Sequence, residues 1–377
     1  MQPLARRAVG NVAIIGSTSG FGSAKPNVPL QIGSEAEARQ HFATLQDGAV
    51  ADEGRSAGPL YHAVRTALLQ NPGPSRVYAI PTADVAEAPG YGAALTVAAA
   101  LPVQLVCLAG EVGPAPLELL KDHVDEVSAM GSARMGVAMV DPELAVPENK
   151  TFAQAANDAY TNLKTASSRM ILVAARVAAG PHGEPASDVA AAVTGAIAGF
   201  PPHTSVLMKQ IREVRIPLEK QFSGTEIKDL AEAFIIPVID PELIPGEGLF
   251  LGSGRCYTTD PQRLYVDVIR VLDHIEFVLK AGLIGSIGDT RIDRLGMQAL
   301  RSRVNGLLSP LLGAGIITDY TIDIPLLPIL EAEEAQRSPG QETVLGDART
   351  ERRVEVLLSV TYAGAIHFLD VKLALKS

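Results

Sequence analysis

Hydrophobic positions in the first two thirds of this 377-residue chain fall in short unbroken runs, separated by stretches where they recur at helical spacing. The runs at 12–15, 76–80, 103–108, 135–140 and 170–174 are dominated by Val, Ile, Leu, Met and Ala with little polar alternation. Strands buried on both faces read this way. Helices are expected between them at 58–70, 93–100, 116–130 and 152–166, so the order predicts a largely parallel sheet with crossover helices on both faces. An extended stretch at 29–32 leads to a helix over 34–45, where Ser34 and Glu37 have the spacing of a capping box. A helix over 188–198, stopped by Pro201 and Pro202, another over 223–234, and strands at 235–239 and 249–258 complete this block.

From Pro261 the pattern changes. A helix over 262–281 places Leu264, Val268, Val271, Leu272, Ile275 and Val278 on one stripe. A second, over 290–312, is expected to bury Leu295, Ala299, Val304, Leu307 and Leu311. A strand at 316–324, a polar and mobile segment at 331–349, and alternating strands at 353–362 and 366–375 follow. The domain reading is a short arm at 1–10, an α/β domain at 11–258, an α+β domain at 259–363 and a terminal strand at 364–377. That last strand, with Ile366, Phe368, Val371, Leu373 and Leu375, either closes its own sheet or pairs through its free edge with a neighbouring subunit.

Composition narrows the function classes. Hydrophobic residues make up 47% of the chain with no tryptophan, and the surplus apolar content is consistent with subunit interfaces. A net charge of −10 argues against a dedicated nucleic-acid binder. Cys107 and Cys256 have no metal spacing, nor do the seven histidines, and Cys107 reads as a buried, inert thiol. The uncharged stretch 92–110 is divided by Pro102 into helix and strand, which removes it as a membrane span. The apolar run after Arg6 and Arg7 is too short for a signal peptide.

One motif invites chemistry. Residues 12–23 read VAIIGSTSGFGS, with Gly16, Gly20 and Gly22 after a strand, and Tyr160 and Lys164 form a Tyr-x-x-x-Lys pair on a predicted helix. Together they suggest a short-chain dehydrogenase binding a nicotinamide dinucleotide. A dinucleotide needs a helix N-terminus directly behind the glycines, and Pro26 and Pro29 stand where its first turns would be. The pair also lacks a serine about a dozen residues upstream. The turn therefore reads as flexible backbone, with no cofactor and no catalytic residues expected. A second basic pattern lies on the 290–312 helix, where Arg291, Arg294, Gln298 and Arg301 recur on one face. It is either a solvated face with local ion pairs to Asp293 or a docking stripe.

Several segments, in order, resemble the contractile tail sheath proteins of bacteriophages and related injection machines. They are VAIIGSTSGFGSAKPNVPLQIGSEAEARQHF; LYHAVRTALLQNPGPSRVYAI; ASDVAAAVTGAIAGFPPHTSVLMKQIREV with TEIKDLAEAFIIPV; and YVDVIRVLDHIEFVLKAGLIGSIGD leading to LLSPLLGAGIITDYTI. The resemblance implies a subtilisin-like α/β sheath domain without a catalytic triad, plus an α+β C-terminal domain facing a tail tube. It implies a non-enzymatic homo-oligomer of hexameric rings stacked helically, with tube, baseplate and terminator proteins as partners. The setting implied is the virion tail, assembled in the bacterial cytoplasm, without nucleic-acid binding or membrane insertion. Only about ten residues precede Val12, fewer than the family's usual N-terminal strand, and the short chain implies no large outward insertions. The dehydrogenase, and a generic self-assembling capsid or tail component, are the alternatives.

Overall fold

The computed structural model describes residues 10–44, 57–85, 88–179, 186–241, 244 and 248–367. They divide into two compact units, one drawn from Ala8–Arg270 with Ile366–Ser377, the other from Val271–Ala365.

The first unit is built on a nine-stranded sheet. In chain order its elements begin with β1 (Asn11–Gly16), β2 (Leu30–Ile32), α1 (Glu35–Phe42), α2 (Pro59–Leu68) and β3 (Arg76–Pro81). A two-residue hairpin of β4 (Asp84–Val85) and β5 (Ala88–Pro89) follows, then α3 (Tyr91–Ala98), β6 (Leu105–Leu108), α4 (Pro114–Ala129) and β7 (Met135–Met139). The unit continues through α5 (Phe152–Ala159), β8 (Met170–Ala174), α6 (Val189–Gly199), β9 (Gln210–Ile211), α7 (Gly224–Glu232), β10 (Ile236–Ile239) and β11 (Leu249–Leu251). The strand order is β2-β3-β1-β6-β7-β8-β10-β11-β9. From β3 to β10 all neighbours are parallel, with antiparallel β2 at one edge and antiparallel β11 and β9 at the other. The chain steps from β1 outward to β3, then back across to β6, so the direction of winding reverses between β1 and β6.

Side-chain alternation sends Val12, Ile14, Leu105, Cys107, Val137 and Ile171 to the face covered by α1, α2 and α6. Ala13, Ile15, Val106, Leu108, Ala138 and Leu172 face the layer of α3, α4, α5 and α7. Burial on both faces is what the unbroken apolar runs required. Ser34 caps α1 by accepting the Glu37 N–H, but Glu37 returns its carboxylate to the Gly33 N–H, one residue short of the reciprocal box expected.

A long helix, α8 (Val266–Leu283), leads into the second unit, which holds α9 (Arg294–Gly313), β12 (Ile317–Asp323), α10 (Leu326–Glu331), α11 (Pro339–Glu351) and β13 (Leu357–Tyr362). Val271, Ile275, Val304, Leu308, Leu311 and Ile317 form one core, and Met297, Ile324, Leu326, Leu327, Leu330 and Leu345 a second. Here the phase expected for two helices needs correction. On α8 Leu272 is exposed while Val271 and Ile275 are buried, and on α9 Leu295, 73% exposed, and Ala299 face outward because its buried face runs through Met297, Val304, Leu308 and Leu311. The segment expected to be polar and mobile instead contains α11, held by a capping box between Ser338 and Gln341.

Candidate functional site

The Gly-rich turn is placed as a turn and nothing more. β1 ends at Gly16, Ser19, Gly20 and Gly22 take positive φ, and the next element is the strand β2, so no helix stands behind the glycines. Gly22 is also pressed against α1: a Cβ there would lie 2.1 Å from the His41 carbonyl oxygen. What the turn needs is positive φ at Gly20 and absent side-chain volume at Gly22.

Tyr160 and Lys164 do not share a helical face. α5 stops at Ala159, Tyr160 is its C-cap, and a single 3-10 turn (Thr161–Leu163) separates the two. The buried Tyr160 hydroxyl donates to the Val112 carbonyl at 2.7 Å and accepts the Asp141 N–H at 2.9 Å. Burial, first of all, raises its pKa above the ordinary phenol value, away from what an acid–base catalyst needs. Lys164 Nζ donates to Asn157 Oδ1 at 3.2 Å and to the Ala233 carbonyl at 3.1 Å, above the Phe234 and Tyr257 rings. Both residues tie loops to the core.

In open α/β sheets a ligand's anion sits at the C-terminal strand ends, against a helix N-terminus. This chain fills that place itself. Asp188, 6% exposed, caps α6, accepting the Ala191 N–H at 2.8 Å and the Gly110 N–H, just past β6, at 2.8 Å. Its burial pushes the carboxyl up, opposed by those main-chain donors, and burial with the nearby Asp188 charge pushes the Cys107 thiol up as well. Asp188 carried a sequence signal, an N-cap position before an Ala-rich helix, though nothing in the sequence announced its second bond to Gly110. A cavity of about 580 Å³ lies beside it, walled by Pro59, Val112, Met139, Pro142 and Val177. Among the described residues there is no group of three or more potential metal ligands, and no helix is long and apolar enough to cross a membrane.

The basic pattern on α9 is partly assembled. Arg294, Gln298 and Arg301 lie on the helix at positions i, i+4 and i+7, whereas Arg291 precedes it in irregular backbone. Asp293 is the N-cap, its carboxylate accepting the Gly296 N–H at 2.7 Å. Gln298 donates to Glu331 at 3.2 Å. Among the described residues Arg291, Arg294 and Arg301 are exposed and form no ion pair. β12 and β13 pair antiparallel as a sheet of two strands only, with Tyr320, Ile322, Leu358, Val360 and Tyr362 turned to the core. Both outer edges therefore offer unpaired main-chain groups among the described residues. Of the expected terminal strand, Ile366 is exposed and in no strand, while Phe368, Val371, Leu373 and Leu375 lie outside the described residues.

No family model matches the chain, and no curated protein matches it in sequence. Solved structures do. A chain of the anti-feeding prophage baseplate, symmetrised six-fold, superposes with a TM-score of 0.70 at 12% identity, covering 98% of this chain and 94% of that one. The sheath complex of the extracellular contractile injection system PVC, in its contracted state, gives 0.69 at 14% identity over 99% and 93%. The sheath tail protein of Listeria innocua gives 0.57 at 12% identity over 94% and 95%. The protein has the fold of the contractile sheath proteins.

Proposed function

We propose that this chain is the repeating, non-enzymatic subunit of a contractile sheath, forming six-fold rings stacked helically around a tube. The observation that carries the reading is a shared fold over nearly the full length of both chains. The six-fold symmetry and the contracted state belong to the neighbours, and they come to this chain as part of the proposal.

In this reading no covalent chemistry is needed. Energy is stored in many identical interfaces and released when rigid subunits rotate while links between them hold. The link proposed is the terminal segment 364–377, whose apolar residues Ile366, Phe368, Val371, Leu373 and Leu375 would add as a strand to an open edge of β12–β13 in a neighbouring copy. The stripe of Arg291, Arg294, Gln298 and Arg301 is proposed to dock on an acidic tube surface, setting orientation and register. Tube, baseplate and terminator proteins would be the partners, in a virion tail or injection machine assembled in a bacterial cytoplasm.

Negative-stain microscopy of the purified protein, alone and with its tube protein, tests the proposal: tubes or stacked rings are expected. Deleting Ile366–Ser377 should leave a folded monomer that does not polymerise. A small oligomer that binds NAD(P)H and never polymerises would overturn the reading.

A further inference from the structure

His367, the last described residue, belongs to the α/β unit although it follows the α+β unit in sequence. Its ring occupies a built seat. The ring centroid is 4.3 Å from that of Tyr265, the planes tilted by 58°, and its Nε2 lies 3.0 Å from Ser205 Oγ. That hydroxyl accepts the Leu207 N–H at 3.2 Å, which leaves its own proton for Nε2. The floor of the seat is Gly254, where a Cβ would lie 2.9 Å from His367 Cε1. The walls are tied together, since Gly254 accepts the Val266 N–H at 3.0 Å and Arg255 pairs with Tyr265 in an antiparallel bridge. Ile366, one residue earlier, is 80% exposed.

We infer that His367 is the root pin of the terminal segment, fixing where that segment leaves the α/β unit and setting which residues can be offered to another copy. The residues beyond it carry the apolar positions proposed above as the link. Their role as a link rests on the sheath reading; the pin does not. Protonation is expected to loosen it. Burial holds the imidazole below the ordinary histidine range; Arg255 adds to this, and Asp267 at the start of α8 opposes it. The seat thus prefers the neutral ring, and its hold weakens as the pH falls below that range.

Chymotrypsin cleavage after Phe368 tests this on the full-length chain, because a protease must draw several flanking residues, His367 among them, into its cleft. Rates are normalised to a synthetic peptide of residues 363–373, carrying the matching substitution. At pH 7.5 the parent is expected to be cleaved about tenfold more slowly than His367→Ala or Gly254→Ala, with Ser205→Ala between them. The protection should shrink at pH 5.5 in the parent and stay unchanged in His367→Ala. Equal rates in parent, His367→Ala and Gly254→Ala, with circular dichroism unchanged, overturn the pin. If either variant fails to fold, Ser205→Ala and the pH dependence of the parent decide. A protected Phe368 without polymerisation leaves the pin standing and removes the sheath reading, and tubes with an unprotected Phe368 do the reverse.

Discussion

Replacing Arg134 by methionine keeps much of a buried side chain's volume and removes its charge with every donor it carries. Arg134 is 1% exposed. Its guanidinium donates to the Ala98 carbonyl at 2.8 Å and to those of Ala99 and Leu101 at 3.2 Å each, so it caps the C-terminal end of α3. Its Nε donates to the Ser132 carbonyl at 3.2 Å. Each buried carbonyl left without a donor costs roughly 1–3 kcal/mol, less where the structure relaxes to admit water, and losing the guanidinium's own burial cost offsets part of the total. A net loss of about 4 kcal/mol is expected, which lowers the melting temperature by about 8 °C for a unit of this size. The second readout is His123, whose Nε2 lies 3.3 Å from the guanidinium. Burial first, and the Arg134 charge second, push its pKa from 6.5 to about 4. Since the unfolded chain binds that proton first, the stability His123 contributes is intact above pH 7 and lost as the pH falls from 7 toward 4. The loss is about 2 kcal/mol between pH 7 and pH 5. In Arg134→Met the burial stays and the charge goes, so His123 should titrate between 4 and 6.5 and the pH dependence should shrink. Thermal unfolding at the two pH values and NMR titration of the imidazole measure both effects. A melting temperature within about 2 °C of the parent, or His123 titrating normally in the parent, refutes the reasoning.

Reversing Arg294 and Arg301 to Glu should abolish co-sedimentation with the tube protein while leaving the monomer's melting temperature unchanged, since both side chains are exposed; normal co-sedimentation removes the docking stripe. Gly20→Ala should cost about 1 kcal/mol, for positive φ in open space, while Gly22→Ala should cost several times more because its Cβ meets the His41 carbonyl. Equal costs in denaturant melts would mean that the turn is not packed as described. Tyr160→Phe should lose about 1–2 kcal/mol with its two hydrogen bonds, and neither parent nor variant should oxidise or reduce a nicotinamide cofactor.

The parallel sheet was legible because a strand covered on both faces must be apolar at every position, and Val12–Ile15 and Met170–Ala174 could be little else. The end of α5 was not, because helix-compatible residues such as Leu163 and Lys164 continue past Ala159 while the pull that breaks the helix is tertiary: the Tyr160 hydroxyl reaches Val112, 48 positions away. α11 hides for the opposite reason. It buries only Leu345, so periodicity is faint and its one strong signal is the Ser338–Gln341 cap. The α9 stripe shows where spacing stops being informative. Sequence alone sets Asp293 beside Arg294 and suggests that the two neutralise each other. Geometry turns that carboxylate onto the Gly296 amide instead, where it satisfies one of the helix's unpaired N–H groups. The same bond that starts the helix therefore leaves the arginine charge facing outward, and a capping residue becomes the reason this stripe on an acidic chain remains basic.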